Sequence, residues 1–291
     1  MKFDRKKTGI ISVIELKSWR VKALYMVLLV FMIIVALTCL LPPLWVMLSS
    51  FKTTAEFSQI PARLFPEHID LSKIARVWKK TNFLRAYGAT FILILGDLAF
   101  TLVINGLAGY VLSRLKPKGS MLVFTVILWT MMVPNTMGMV PLYMTFVNLS
   151  MINTYLPMWL MAGANAFYIL LFKGFFDSIS ISYIEAARID GCSDAGIFAR
   201  IIVPMSKPVI ITVSIFTINS AWGNFFWPYM VLKKNELAPV GLKIYQLQTQ
   251  AIISIDEYMM SLMFVIIPAV LVFLIFQKYI MEGFTLGGIK G

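Results

Sequence analysis

Six long apolar stretches, near 23–48, 88–112, 121–143, 154–173, 208–232 and 259–280, dominate the chain. Each is close to the roughly 20 residues that a helix needs to cross the hydrocarbon core of a bilayer. Lipid offers the backbone no hydrogen-bond partner, so such segments are helical. Runs such as Met26–Leu37 do not alternate, which excludes transmembrane β-strands. The pattern predicts an all-α, polytopic transmembrane bundle of six helices. Prolines in four of them (Pro42 and Pro43, Pro134 and Pro141, Pro228, Pro268) predict kinks, because neighbouring helices can satisfy the carbonyls that proline frees. The chain divides into an N-terminal segment 1–22, a six-span domain 23–280 and a tail 281–291. Before the first span, apolar residues from Ile10 to Trp19 interleave with Lys17, Arg20 and Lys22. They suit a short interfacial helix or a flexible tail.

Composition agrees with burial in lipid. Of the 291 residues 59% are hydrophobic and 14% charged, where a soluble domain carries roughly 25% charged residues. The net charge of +12 is uneven: sixteen Lys and Arg fall on the side of both termini and ten on the other. That bias predicts both termini in the cytoplasm. Seven of the ten lie in 49–87 with only three acids. This loop suits a docking protein, lipid headgroups or, more sharply, attraction of an acidic oligosaccharide. No basic run interleaved with aromatics points to nucleic acid. The first apolar run lacks a small-x-small cleavage site and reads as retained. Cys39 and Cys192 sit at different depths and should not pair. His68 is the one histidine, so no metal-ligand spacing exists.

The longest loop of the cytoplasmic side, 174–207, is more than a connection needs. Ser180 or Ser182 can cap a helix with Glu185 in its first turn, where a carboxylate suits the positive end of the dipole. Gly191 can take the positive φ of a turn. Ser193 and Asp194 can start a second helix, with Ile197, Phe198, Ile201 and Ile202 on its apolar side and Pro204 at its end. Two short helices joined at a glycine make a knob on which another protein can dock.

Glu185-Ala186-Ala187, three residues, Gly191, nine residues, Ile201, one residue, then Val203-Pro204 resembles the EAA loop of ABC importer permeases, with valine in place of the usual leucine before the proline. Asn105–Arg114, Trp222-Gly223-Asn224-Phe225 with Pro228, and the tail 283–291 resemble the carbohydrate-uptake, maltose-G-type, binding-protein-dependent group. The resemblance implies a permease subunit of the prokaryotic inner membrane, not an enzyme. It binds no cofactor, because ATP and Mg sit on two separate ATPase subunits. A second permease completes a heterodimer, and an extracytoplasmic solute-binding protein delivers a sugar. Glu185, Ala186, Ala187, Gly191, Ile201 and Pro204 would couple the permease to the ATPase. The tail 284–291 would reach the ATPase interface, and 233–257 would probe the binding protein. The chain itself has no GxxxxGK[ST] loop.

Sugar sites combine aromatic faces with a few polar groups. Asn219, Trp222, Asn224 and Phe225 in the fifth span, and Asn165 and Tyr168 in the fourth, are the substrate-path candidates. Trp as an interface anchor and Asn as helix glue are the plain alternatives. Asp97 lies inside the second span without a cationic partner. It reads as a structural carboxyl, hydrogen-bonded or protonated. An ion-coupled secondary carrier centred on Asp97 is the rival, and an ABC importer of another small solute is the nearer alternative. No Ser/His/Asp set or HExxH supports a membrane enzyme.

Overall fold

The computed structural model describes residues 19–61, 63–250 and 253–287, with backbone alone at 135 and from 278 on. The interfacial helix expected before Trp19 and the last four residues of the tail lie outside the described residues. Among the described residues every regular element is helical.

Helix α1 (Trp19–Ser49) has 31 residues and carries Pro42 and Pro43 without breaking. At 1.5 Å per residue it is about 46 Å long, more than the roughly 30 Å core. Two short helices follow, α2 (Thr54–Phe57) and α3 (Ser72–Thr81). Helix α4 (Phe83–Leu115) contains two π-turns, Thr101–Asn105 and Val111–Leu115. Both α1 and α4 contain the spans expected from the sequence.

The stretches expected as the third, fourth and fifth spans are each interrupted. The third is α5 (Ser120–Thr130) and α6 (Met139–Asn148) with a short 3-10 turn, Asn135–Gly138, between them. Pro134 causes the interruption. It supplies no N–H and holds the preceding residue away from helical geometry. The fourth is α7 (Leu156–Gly163) and α8 (Ala166–Ser178), bent by 40°. In the loop that follows stand α9 (Ile181–Ile189) and α10 (Asp194–Met205). The chain then turns by 79° at Ser206 into α11 (Lys207–Gly223), and α12 (Phe226–Val231) follows after a two-residue break. After α13 (Val240–Thr249), the last helix α14 (Ile255–Gly287) passes Pro268 unbroken. Among the described residues, three helices are thus long and apolar enough to cross a bilayer, or up to five when each bent pair counts as one span.

Three apolar clusters hold the bundle. One, around Tyr110, Phe172, Ile184, Ile197, Ile202 and Val213, joins α4, α8 and α11 to the α9–α10 knob. The second lies at the opposite end, around Leu93, Tyr155 and Leu242. The third packs Val77 and Phe83 against Met260 and Phe264 of α14. Helix α1 has no place in these cores: its apolar window is 0% buried. Both cysteines are free.

Candidate functional site

The knob is built by local signals. Ser180 caps α9 by accepting from the Ser182 N–H, and Ser193 caps α10 by accepting from the Gly196 N–H. Gly191 sits between them at φ 79°, where the Cys192 N–H donates to the Ala187 carbonyl at 2.9 Å. Other side chains strain at that φ. Helix α10 runs through Pro204 to Met205, so the expected stop at Pro204 falls one residue later. The π-turn Phe198–Ile202 ends one residue short of the proline, where a regular hydrogen-bond ladder would need the N–H it lacks.

One face of the knob is locked inward. Ile184, Ala187, Ile197 and Ile202 are buried in the first cluster. Arg114, at the end of α4, donates to the carbonyls of Phe176 and Ile179, where α8 ends. Ser113 donates to Asp177 Oδ1 at 2.6 Å, and the Tyr110 hydroxyl donates to the Asp194 carbonyl at 3.2 Å. The other face is open. Tyr183, Glu185, Ala186 and Ile189 are exposed, Ile189 at 86%. Their spacing puts Tyr183, Ala186 and Ile189 on one stripe beside Glu185. Of the six coupling candidates, Glu185, Ala186, Gly191 and Pro204 are exposed, Ile201 is half-buried and Ala187 is buried.

The interrupted spans carry the path candidates. Asn165 ends the break between α7 and α8 and caps α8 by accepting from the Tyr168 N–H at 3.2 Å. Asn105, fully buried in the first π-turn of α4, bridges that break: its Nδ2 donates to the Ala162 carbonyl at 2.9 Å and its Oδ1 accepts from the Asn165 N–H at 3.1 Å. Tyr168 is buried in the first cluster. Trp222 donates to the Val265 carbonyl at 3.3 Å and lies against Tyr87. Phe225 stacks on Tyr245 at 5.3 Å. Asn219 and Phe225 are exposed and Asn224, at the second break, is half-buried. The geometry gives Asn165, Tyr168 and Trp222 packing roles and leaves Asn219, Asn224 and Phe225 reachable.

Asp97 is 7% exposed, and its Oδ1 has no hydrogen-bond partner among the described residues. Of the two forms expected for it, hydrogen-bonded or protonated, the structure shows no hydrogen bond at that oxygen.

The basic loop 49–87 is folded into a clamp on the start of α14. Lys73 is buried against Asp256 at 2.9 Å, Thr54 donates to the same carboxylate at 2.6 Å, and Lys80 pairs with Glu257 at 2.7 Å. Lys52 is 2% exposed, over the Trp45 ring. Arg63, Arg76 and Arg85 face Glu67, Asp70 and Glu236. Little unpaired positive charge is left to attract an acidic sugar. Among the described residues no group of three or more His, Cys, Asp or Glu could hold a metal.

Sequence reasoning passed over Asn105 and Arg114 as site residues. A lone Asn in an apolar run was a usable signal. Arg114 looked like an ordinary basic residue at a span end.

The chain resembles proteins of known role along most of its length. It is 29% identical to the arabinooligosaccharides transport system permease protein AraQ of Bacillus subtilis (strain 168), over 91% of this chain and 95% of AraQ. It is 27% identical to the polygalacturonan/rhamnogalacturonan transport system permease protein YtcP of the same organism, over 90% and 96%. The lactose transport system permease protein LacG of Rhizobium radiobacter is 26% identical over 88% and 92%. A chain of a bacterial ABC transporter involved in the import of the acidic polysaccharide alginate superposes with a TM-score of 0.80 at 26% identity, covering 90% of this chain and 98% of that one. The family described as binding-protein-dependent transport system inner membrane component matches residues 105–284, more than half of the 291. With the knob, the interrupted spans and this match together, the chain belongs to that family of membrane permeases.

Proposed function

We propose that this chain is the transmembrane permease subunit of an ATP-driven, binding-protein-dependent importer of sugars or oligosaccharides. Both termini lie in the cytoplasm, and α9 docks on an ATPase chain that carries ATP and Mg. The observation that carries the reading is the two-faced knob. Its inner face is tied to α4, α8 and α11, while Tyr183, Glu185, Ala186 and Ile189 project outward. Movement of an ATPase against the outer face is passed to α8 and α11, because Arg114 and the shared apolar cluster leave little slack.

Those two helices end at the breaks. At 1.5 Å per residue, Asn165 lies about 20 Å and Asn224 about 25 Å from the cytoplasmic ends of α8 and α11. Irregular backbone at membrane depth belongs against protein or a hydrated cavity. Asn219, Asn224 and Phe225 are the side chains proposed for sugar contact. The uncovered α1 supports a second permease subunit, and the 233–257 segment at the opposite end is proposed to meet the solute-binding protein. The named sugars of the relatives favour an oligosaccharide as cargo.

The test is Ile189→Asp in the assembled complex. An exposed substitution costs the permease fold about 0.5 kcal/mol or less, so the permease should keep its thermal midpoint while the ATPase no longer co-purifies. Retention of the ATPase and of uptake by Ile189→Asp with Tyr183→Asp would overturn the docking assignment.

A further inference from the structure

A polar pocket of about 290 Å³ lies at the end of the bundle away from the knob, between the first turn of α4 and the segment that leads into α13. It is at the small end for ligand sites, which run to roughly 300–1,000 Å³, and suits one small molecule rather than a chain. Asn82 and Arg85 stand on one wall, and Asn235, Glu236 and Lys243 on the other. Buried Ala86 and Ala238 are its small apolar part. From Arg85 to Arg114, α4 rises about 44 Å at 1.5 Å per residue. That exceeds the roughly 30 Å hydrocarbon core. With Arg114 at the knob, the pocket therefore stands in water on the opposite side.

The walls are fixed before anything binds. The Val240 N–H donates to Thr90 Oγ1 at 2.8 Å, and the Tyr155 hydroxyl donates to the Leu237 carbonyl at 2.9 Å. Hydrogen-bonding capacity is left over on both sides. Asn235 Oδ1 accepts from Gln246 Nε2 at 3.2 Å, so its own amide N–H groups remain to donate. Arg85 meets Glu236 at 3.3 Å, but both side chains are more than half exposed, so the pair is weak and most guanidinium donors are unused. Lys243 is half-buried, and its ammonium has neither an ion pair nor a hydrogen bond among the described residues. Burial pushes it below the ordinary 10.5. Every other described basic side chain without a carboxylate partner is exposed or, like Lys52 and Arg114, donates to carbonyls. No side chain caps the start of α4, whose dipole adds to the positive field of the two cations. Two cations against one carboxylate, with two carboxamides beside them, match a monoanion that also carries hydroxyls.

We propose that this pocket binds a small polyhydroxylated carboxylate, a sugar acid. Lys243 and Arg85 hold the carboxylate through charge-assisted hydrogen bonds, and Asn82, Asn235 and Glu236 meet hydroxyls, which both donate and accept. The positive charge comes from α13 as well as from the 49–87 loop, most of whose cations are already paired. The pocket is separate from the path candidates at the breaks and concentrates an acidic sugar at the outer mouth. That it faces outward rests on the orientation proposed above. Binding is measured without ATP or transport, so it can fail while the importer reading stands.

The experiment titrates the intact complex in nanodiscs with glucuronate and, in parallel, with glucose, which has a hydroxymethyl group in place of the carboxylate. Heat of binding is the readout. The wild type should bind glucuronate at least tenfold more tightly than glucose, and less tightly as salt is raised. Lys243→Gln and Arg85→Gln, each with an unchanged thermal midpoint, should each weaken glucuronate by about tenfold. No binding of glucuronate, equal binding of glucose, or unchanged affinity in both variants would overturn the proposal. So would a carbodiimide cross-link from Lys243 to the solute-binding protein that glucuronate does not compete away, since the occupant would then be an acidic protein side chain.

Discussion

Single polar side chains hold this bundle at the points where its helices are interrupted. Arg114 satisfies two carbonyls at the end of α8, and hydrogen bonds from a charged donor are worth about 1.5–3 kcal/mol each. Arg114→Met should therefore cost about 3 kcal/mol or more in chemical unfolding of the permease. Asn105→Leu should leave the Asn165 N–H without a partner and the Ala162 carbonyl with the Thr101 hydroxyl alone, at about 1–3 kcal/mol for the orphaned N–H. Thermal unfolding in detergent checks both. At the end of the bundle away from the knob, Glu56 accepts from the backbone N–H groups of Thr53 and Glu67, each at 2.6 Å. These bonds outweigh its burial, and with the Thr53 hydroxyl and nearby Arg63 they hold its carboxyl below the ordinary 4.5. Because the folded value is depressed, this stabilisation is fully present above about pH 4.5 and is lost as pH falls through the folded value. The thermal midpoint should drop in that acid range, and less steeply in Glu56→Gln. An equal slope in the two proteins would contradict the assignment. Apart from the Thr53–Glu56 capping box, which is a local pattern, these partners were not visible in the sequence. Arg114 and its carbonyls are more than sixty residues apart, and pairing across that distance leaves no local pattern. The seven basic residues of 49–87 looked like surplus charge for the same reason, since three of their carboxylate partners, Asp256, Glu257 and Glu236, lie in the last third of the chain.

Helix boundaries were legible where a capping or turn residue announces them and obscure where hydropathy does not change. Ser180, Ser193 and Gly191 mark the knob as the sequence suggests, because each does local work that its own chemistry dictates. The breaks at 164–165 and 224–225 occupy two residues inside apolar runs, too short to alter a window of span length. Pro134 and Pro228 hinted at interruptions, but Pro42, Pro43 and Pro268 stand inside unbroken helices. What separates them is tertiary support, which proline alone does not encode. The packing of α4 on α8 gives a prediction at this scale. A Cβ at Gly109 would stand 2.7 Å from Phe172 Cβ and 3.0 Å from the Lys173 nitrogen. Gly109→Ala must push the two helices apart and should cost about 1–3 kcal/mol, read as a lower thermal midpoint. Stability equal to wild type would mean that α4 and α8 are not in register here.

The molecule as a whole is a rigid lever with one uncovered arm. Its α4–α8–α11 core connects the knob to the two breaks, a clamp of ion pairs fixes the 49–87 loop to α14, and α1 stands outside every core. A helix whose most apolar stretch is uncovered within the chain fits a subunit that is completed by another. The overall class and membership of the permease family were readable from span lengths and the Glu185–Pro204 spacing, because those are local features. The route from the knob to the breaks was not, because it runs through contacts among four helices. The measurement that tests this account most directly is sugar-stimulated ATP hydrolysis and uptake by the reconstituted complex, wild type against Gly191→Pro with Glu185→Ala. Proline cannot take the positive φ at 191, so the knob is distorted while the spans are untouched. The account predicts that the complex still assembles while stimulated hydrolysis and uptake collapse together. Uptake that is unchanged in the variant, or that proceeds with no ATPase chain present, would contradict it.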